Sequence, residues 1–278
     1  MRLALCAEVI DHLDFAAQCA FAKAVGYEGL EIEPQRLGDM PHLLPTSRRA
    51  ELKRIAADHG IQITGFHSLL YVPPGLSITS ADATVRRQTL DVIERLCHLC
   101  SELGGSYIVH GSADQRRLSS QTPQEERQRG IEAFSFGASV AAGLDLTYII
   151  EPIRPARTQF INTIAEAAAI AGGSGIASLA TMLDCLSANE AESEPLPAVL
   201  NRWLPTGLIA HVHLNDPNRL GPGQGDMKFA EILETLQRHS YDRWISVEPF
   251  VFEPSGEAVA ARAAGYVRGL LEAINGGR

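Results

Sequence analysis

Eight short apolar runs, each followed by a longer amphipathic segment, constrain this chain more than any other feature of its sequence. The runs are Leu3–Ala7, Gly29–Ile32, Ile61–Phe66, Tyr107–Val109, Leu146–Ile150, Ala180–Leu183, Ile209–Leu214 and Trp244–Val247. Most are continuous in Ile, Leu, Val, Ala and Thr rather than alternating, which is the pattern of parallel strands covered on both faces. Between them the spacing predicts helices over Asp14–Val25, Ser47–Asp58, Thr84–Leu103, Thr122–Ala142, Phe160–Ala171, Phe229–Arg238 and Ser255–Ile274. An eighth, over Ser187–Leu204, is interrupted by Pro195 and Pro197. Gly26 and Gly104 stand where helix C-caps belong, and Thr122, with Pro123 and Glu125 after it, reads as an N-cap. Strands alternating with helices over ~250 residues imply a single α/β (β/α)8 barrel, one domain over residues 1–278. An open doubly wound sheet would carry a glycine-rich turn after its first strand, whereas here Cys6-Ala7-Glu8-Val9-Ile10 follows it.

The composition narrows the function classes. Lys and Arg number 24 against 33 Asp and Glu, a net charge of −9, which argues against a nucleic-acid partner. The five cysteines are an odd, scattered set, so a disulfide framework is not expected. Cys97 and Cys100 form a C-x-x-C pair, but within a helical apolar pattern they read as packed thiols rather than half a zinc site. The apolar run at the N-terminus is too short for a signal peptide, and Ala167–Leu183 is broken by Gly172, Gly173 and Gly175. A cytoplasmic protein with no membrane partner is expected.

In a barrel of this kind the chemistry sits where strands become loops at the C-terminal face. Those positions hold Glu8, Glu31 and Glu33, His67, His110, Glu151, Asp184, His213 and Glu248. The last four are each about one β/α unit apart, so their side chains would converge above one quadrant. Three carboxylates beside an imidazole in a small space raise one another's pKa as like charges unless a cation joins the set. An oxygen-rich set with one nitrogen suits Mn²⁺, Mg²⁺ or Co²⁺ better than a structural zinc. His211 would face the same side as His213 and is read as a packed barrel histidine.

These residues resemble the xylose isomerase-like barrels, which include ketose 3-epimerases, hydroxypyruvate isomerase and inositol catabolic enzymes. The resemblance is strongest from Leu146 to Phe250, above all in His211-Val212-His213-Leu214-Asn215-Asp216-Pro217-Asn218-Arg219, Gly221–Gly225 and Ser246-Val247-Glu248-Pro249-Phe250. It implies that Glu151, Asp184, His213 and Glu248 bind one divalent ion, Mn²⁺ foremost with Zn²⁺ also admissible. It further implies that Glu151 and Glu248 form a catalytic acid/base pair and that Arg219 contacts a carbohydrate substrate. Two positions depart from the ketose 3-epimerases: Arg157 stands where they carry a glutamate, and Ser187 where they carry a histidine. Arg157 pointing inward would favour an anionic substrate; pointing outward, it is a surface residue.

The expected activity is isomerisation or epimerisation of a keto-sugar or sugar acid by proton transfer next to a carbonyl. A lyase or dehydratase acting on a keto-inositol or 3-keto-glycoside is the alternative, and a non-catalytic sugar-binding barrel a third. The apurinic endonucleases of the same superfamily share His67 and His110, but Ser187 and Lys228 replace two of their further ligands. Glu8, Glu33, His67 and His110 are expected either to line the pocket and bind sugar hydroxyls or to hydrogen-bond at strand ends. His12, His42, His59, His98 and His239 are expected in solvent, and Trp203 and Trp244 in packing. Family analogy also allows a homodimer through the outer helices.

Overall fold

The apolar runs form eight parallel strands closed into a barrel in sequence order. The computed structural model describes residues 1–119 and 121–276. The strands are β1 (Arg2–Cys6), β2 (Gly29–Ile32), β3 (Gln62–Phe66), β4 (Tyr107–His110), β5 (Thr147–Ile150), β6 (Leu179–Asp184), β7 (Ile209–Leu214) and β8 (Trp244–Val247). Around them run α1 (Phe15–Val25), α2 (Thr46–Asp58), α3 (Ala83–Leu103), α4 (Pro123–Ala142) and α5 (Ile164–Ser174). The ring is completed by α6 (Cys185–Ala191), α7 (Leu196–Trp203), α8 (Phe229–Arg238) and α9 (Gly256–Gly276). The (β/α)8 barrel read from the sequence is therefore the fold.

Local chemistry sets most boundaries. Gly26 and Gly104 end α1 and α3 in the left-handed conformation at φ 102° and 91°, which glycine adopts without steric cost. The proline-broken segment becomes two helices, because Pro195 caps α7 and cannot continue α6. α5 begins at Ile164 rather than Phe160, behind a capping box in which Thr163 and Glu166 satisfy one another's backbone groups. Thr122 precedes α4 but makes no side-chain cap there; its φ/ψ of −133°/54° lies outside the extended region usual for a capping residue. Cys97 and Cys100 are buried free thiols on α3, as packing residues. His42, expected in solvent, is buried in the turn Pro41–Leu43. Among the described residues no helix is long and apolar enough to cross a membrane.

Two cores result. The larger lies between strands and helices, with Leu30, Phe66, Ile108, Tyr148, Leu183, Val212 and Val247 pointing outward from the barrel. The smaller fills the barrel interior with Ala4, Tyr107, Val109, Ile149, Ala180, Met182, Ala210 and Trp244. The Arg2 guanidinium, 4.0 Å over the Trp244 ring, covers the N-terminal end.

Two bulges control what faces inward above that inner core. Between β2 and β3 the register passes from Leu30↔Ile63 to Glu31↔Gly65, leaving Thr64 as an extra residue on β3. Between β6 and β7 it passes from Thr181↔Ile209 to Met182↔His211, leaving Ala210 extra on β7. Strand side chains alternate with period two, so an inserted residue reverses the faces of everything after it. Ile63 and Ile209 therefore point out, while His67, His211 and His213 point in.

Gly65 makes the β3 bulge possible, because a Cβ there would lie 2.5 Å from the Tyr107 carbonyl oxygen and 2.6 Å from its ring. We expect Gly65→Ala to cost about 1–3 kcal/mol through overpacking. The denaturant midpoint measures it; an unchanged midpoint would show that Tyr107 yields freely.

Candidate active site

At the C-terminal mouth, Glu151 follows β5, Asp184 ends β6, His213 lies on β7 and Glu248 follows β8. The structure brings these four together, with one ligand atom of each lying within 4.8 Å of all the others. Asp184 accepts from the Ser187 amide at 2.7 Å, capping α6, and from Asn215 Nδ2 at 2.6 Å. The same Asn215 nitrogen lies 3.2 Å from Glu248 Oε2, and its Oδ1 accepts from the Leu186 amide at 2.8 Å. Asn215 thus holds two carboxylates at fixed separation. Glu151 occupies space that Gly111 leaves open, since a Cβ there would lie 1.8 Å from Oε2.

Beneath the cluster lies Glu31, fully buried. Its carboxylate accepts from Tyr107 Oη at 2.7 Å, His211 Nε2 at 2.9 Å, His213 Nε2 at 3.0 Å and the Ser246 hydroxyl. Burial pushes its pKa up, but His211 and His213 outweigh that and hold it well below the carboxylate range. Because Glu31 holds His213 by Nε2, Nδ1 is the ring nitrogen turned to the cluster, 3.0 Å from Glu248 Oε2 and 3.9 Å from Asp184 Oδ2. That buried Nδ1 has no hydrogen-bond partner.

The donor set fits a divalent cation. An orphaned imidazole nitrogen and three carboxylates converge, and a second carboxylate fixes the tautomer of the imidazole, the usual arrangement behind a metal-bound histidine. Without a cation the carboxylates oppose one another. Burial, then Glu248 and Asp184, push Glu151 up to about 8, and burial with Asp184 pushes Glu248 up to about 7 despite His213.

The remaining expected site residues divide sharply. Arg157 and Arg219 line the same cleft as Glu151, Asp184 and Glu248, together with Tyr71, Arg154, Ser187 and Phe250. His67, His110 and Glu33 do not line it. His67 is buried under the cluster, 3.4 Å from Glu8, 3.4 Å from Glu31 and 3.7 Å from Glu248. Burial lowers its pKa, but those carboxylates prevail and raise it to about 10, so it is an imidazolium counter-charge rather than a hydroxyl ligand. Strand alternation turns Val109 inward and His110 outward, where it bonds Tyr148 Oη at 2.7 Å and packs on Phe134. Glu33 is taken by Arg36 at 2.9 Å. Among the described residues His110 joins no potential metal cluster, and His67 joins Cys6, Glu8 and Glu248, so the pair does not form the extra ligand set of a nuclease.

Sequence reasoning missed the roles of Glu31 and Arg116. Glu31 carries a signal, being a carboxylate inside an apolar strand. Arg116 carries none, lying in a polar loop; yet it is fully buried and donates Nη2 to the Glu151 carbonyl at 2.7 Å. Burial lowers its pKa to about 10 against the opposing pull of Glu151, so it stays charged behind that residue.

The family profile described as Xylose isomerase-like TIM barrel matches residues 19–270. The chain belongs to that family. A probable ketose 3-epimerase from Synechocystis sp. is 26% identical over 243 residues, 87% of this chain and 80% of the relative. The L-ribulose 3-epimerase of Mesorhizobium japonicum is 25% identical over 213 residues, covering 76% of this chain and 69% of its own. A crystal structure of D-psicose 3-epimerase in the presence of D-fructose superposes with a TM-score of 0.82 at 21% identity, over 98% of this chain and 99% of that one. These relatives are sugar epimerases, and the family relationship supports an enzyme of that broad class.

Two outcomes follow from the geometry. Glu31→Gln should weaken Mn²⁺ binding by about 10- to 100-fold, since it releases the tautomer of His213; equilibrium dialysis against manganese measures it. Ligand carboxylates must be ionised, so Mn²⁺ affinity should rise between about pH 6 and pH 8 as Glu248 and Glu151 lose their protons. In the ion-free protein the same raised values make the folded state bind more protons than the unfolded one, so their stabilisation falls as pH rises through that window. Melting temperatures with and without Mn²⁺ should therefore diverge as pH increases; parallel curves would contradict the assignment.

Proposed function

We propose that this chain is a divalent-metal-dependent sugar isomerase or epimerase acting on a keto-sugar or sugar acid. The observation that carries the reading is the pair Glu151 and Glu248, which flank Asp184 and His213 in one cluster and open onto one cleft. Glu151, Asp184, His213 and Glu248 would hold a single ion, with Mn²⁺ the best match and Mg²⁺, Co²⁺ or Zn²⁺ the other candidates. When bound, the ion supplies Lewis-acid polarisation of the carbonyl beside the reacting carbon.

The chain's own residues do the rest. One glutamate, ionised, takes the proton from that carbon, and the other, protonated, returns one; the roles exchange in the reverse direction. Asn215 and the α6 cap keep Asp184 and Glu248 from swinging toward each other. Arg219, at φ 71°, accepts the Phe250 and Val251 amides on its carbonyl at 2.8 and 3.0 Å, which anchors its backbone at the cleft wall, with the guanidinium 5.7 Å over the Phe250 ring. There its guanidinium can orient substrate oxygens.

A lyase acting on a keto-inositol or 3-keto-glycoside would begin with the same abstraction. Arg157 and Ser187, which give the cleft wall a chemistry different from that expected of a ketose 3-epimerase, keep this second reading in view. Product analysis separates them, since a lyase releases water or an aglycone.

The test begins with elemental analysis of chelator-free protein beside Asp184→Ala. About one divalent ion per chain, lost in the variant, is expected. Glu151→Gln and Glu248→Gln should each abolish exchange of the substrate α-proton in deuterated water while leaving the melting profile cooperative. Full exchange in either variant would overturn the acid/base assignment.

A further inference from the structure

We propose that the substrate carries an anionic group, a carboxylate or a phosphate, and that Arg157 binds it at the rim of the cleft. This deepens the reading above and rests on it for the placement of the reacting carbon near Glu151 and Glu248.

Arg154, Arg157 and Arg219 line the same cleft as Glu151, Asp184 and Glu248. With the three carboxylates turned onto a divalent ion, the guanidiniums decide the sign of the space left for the rest of the substrate. Arg154 is committed to Glu190 at 2.9 Å. Arg219 makes no ion pair among the described residues and lies 5.7 Å over the Phe250 ring. Arg157 has one carboxylate contact among the described residues, Asp114 at 3.9 Å, beyond hydrogen-bond distance and half exposed. No carboxylate therefore occupies its fork at hydrogen-bond distance among the described residues, and the Tyr71 phenol takes only part of it.

The segment that carries Arg157 is built rather than loose. Between β5 and α5 the chain folds back so that the Ile153 amide donates to the Ile161 carbonyl at 3.0 Å. Asn162 Nδ2 closes the neck, donating to the Ile153 carbonyl at 2.6 Å and the Thr158 carbonyl at 2.9 Å. Thr158 and Phe160 are buried beneath it, and the Arg157 amide donates to the Arg154 carbonyl at 3.0 Å. Arg157 therefore stands on an anchored turn beside the Tyr71 phenol of the β3–α3 connection, whose oxygen accepts from its guanidinium and whose own hydroxyl hydrogen can be offered to a ligand.

A neutral ketose offers this rim only hydroxyl groups, which leave a guanidinium's charge uncompensated. A carboxylate or phosphate matches the planar fork with two oxygens and cancels the charge as well. Both anions share that chemistry, and the test distinguishes them.

Calorimetric titration of the full chain loaded with Mn²⁺, using D-fructose, 2-keto-D-gluconate and D-fructose 6-phosphate, tests the proposal. At least one anion should bind about tenfold or more tightly than D-fructose, and which one does so separates carboxylate from phosphate. Arg157→Gln, checked for unchanged melting and Mn²⁺ content, should erase that preference, and added salt should weaken anion binding in the parent protein. D-fructose binding as tightly as both anions, neither anion binding, or a preference that survives in Arg157→Gln would each overturn it. The metal-enzyme reading fails separately, on the absence of Mn²⁺ uptake measured before any sugar is added.

Discussion

The interaction on which the site depends is the buried carboxylate of Glu31 and the donors around it. An ionised carboxylate withdrawn from water costs several kcal/mol unless its oxygens are fully paired. Here Tyr107 of β4, His211 and His213 of β7 and Ser246 of β8 all donate to it, so one side chain of β2 ties three other strands together across the barrel. The same bonds decide which nitrogen of His213 is left to face the cluster. Stability of the floor and readiness of the cluster above it are thus one constraint.

That constraint is reachable only because backbone irregularities re-aim the side chains. Were β3 and β7 regular, every face beyond the bulge would reverse: His67 and His213 would turn toward the helices, and Phe66 and Val212 would turn into the barrel. The bulges at Thr64 and Ala210 bring them inward instead. Gly65 leaves room for the Tyr107 ring at the β3 bulge, and Gly111, just after β4, leaves room for the Glu151 carboxylate. Packing inside the barrel and chemistry at its mouth are joined through a few residues lacking side chains.

The barrel was legible because strand and helix periods are local properties, and buried parallel strands leave continuous apolar runs. The convergence of Glu151, Asp184, His213 and Glu248 was legible for a related reason: equal spacing in a regular β/α repeat puts successive strand ends side by side. His110 misled because a strand-end position says nothing about which face the side chain takes, and alternation from Val109 sent it toward Phe134. Glu33 misled because the next turn supplied Arg36 as its partner. Arg116 was invisible, since an arginine in a polar loop looks the same whether it is solvated or folded beneath Glu151.

By itself, the sequence determined the barrel, the order of its strands and the four residues at the mouth, because each follows from periodicity and spacing along the chain. Tertiary structure alone decided which nitrogen of His213 faces the cluster, the inward turn of His67 and the charge of the wall that Arg157 and Arg219 present. Those depend on strand register, on bulges and on which distant groups share a buried space. A one-residue shift in pairing reverses every face beyond it, and no local pattern records where that shift occurs.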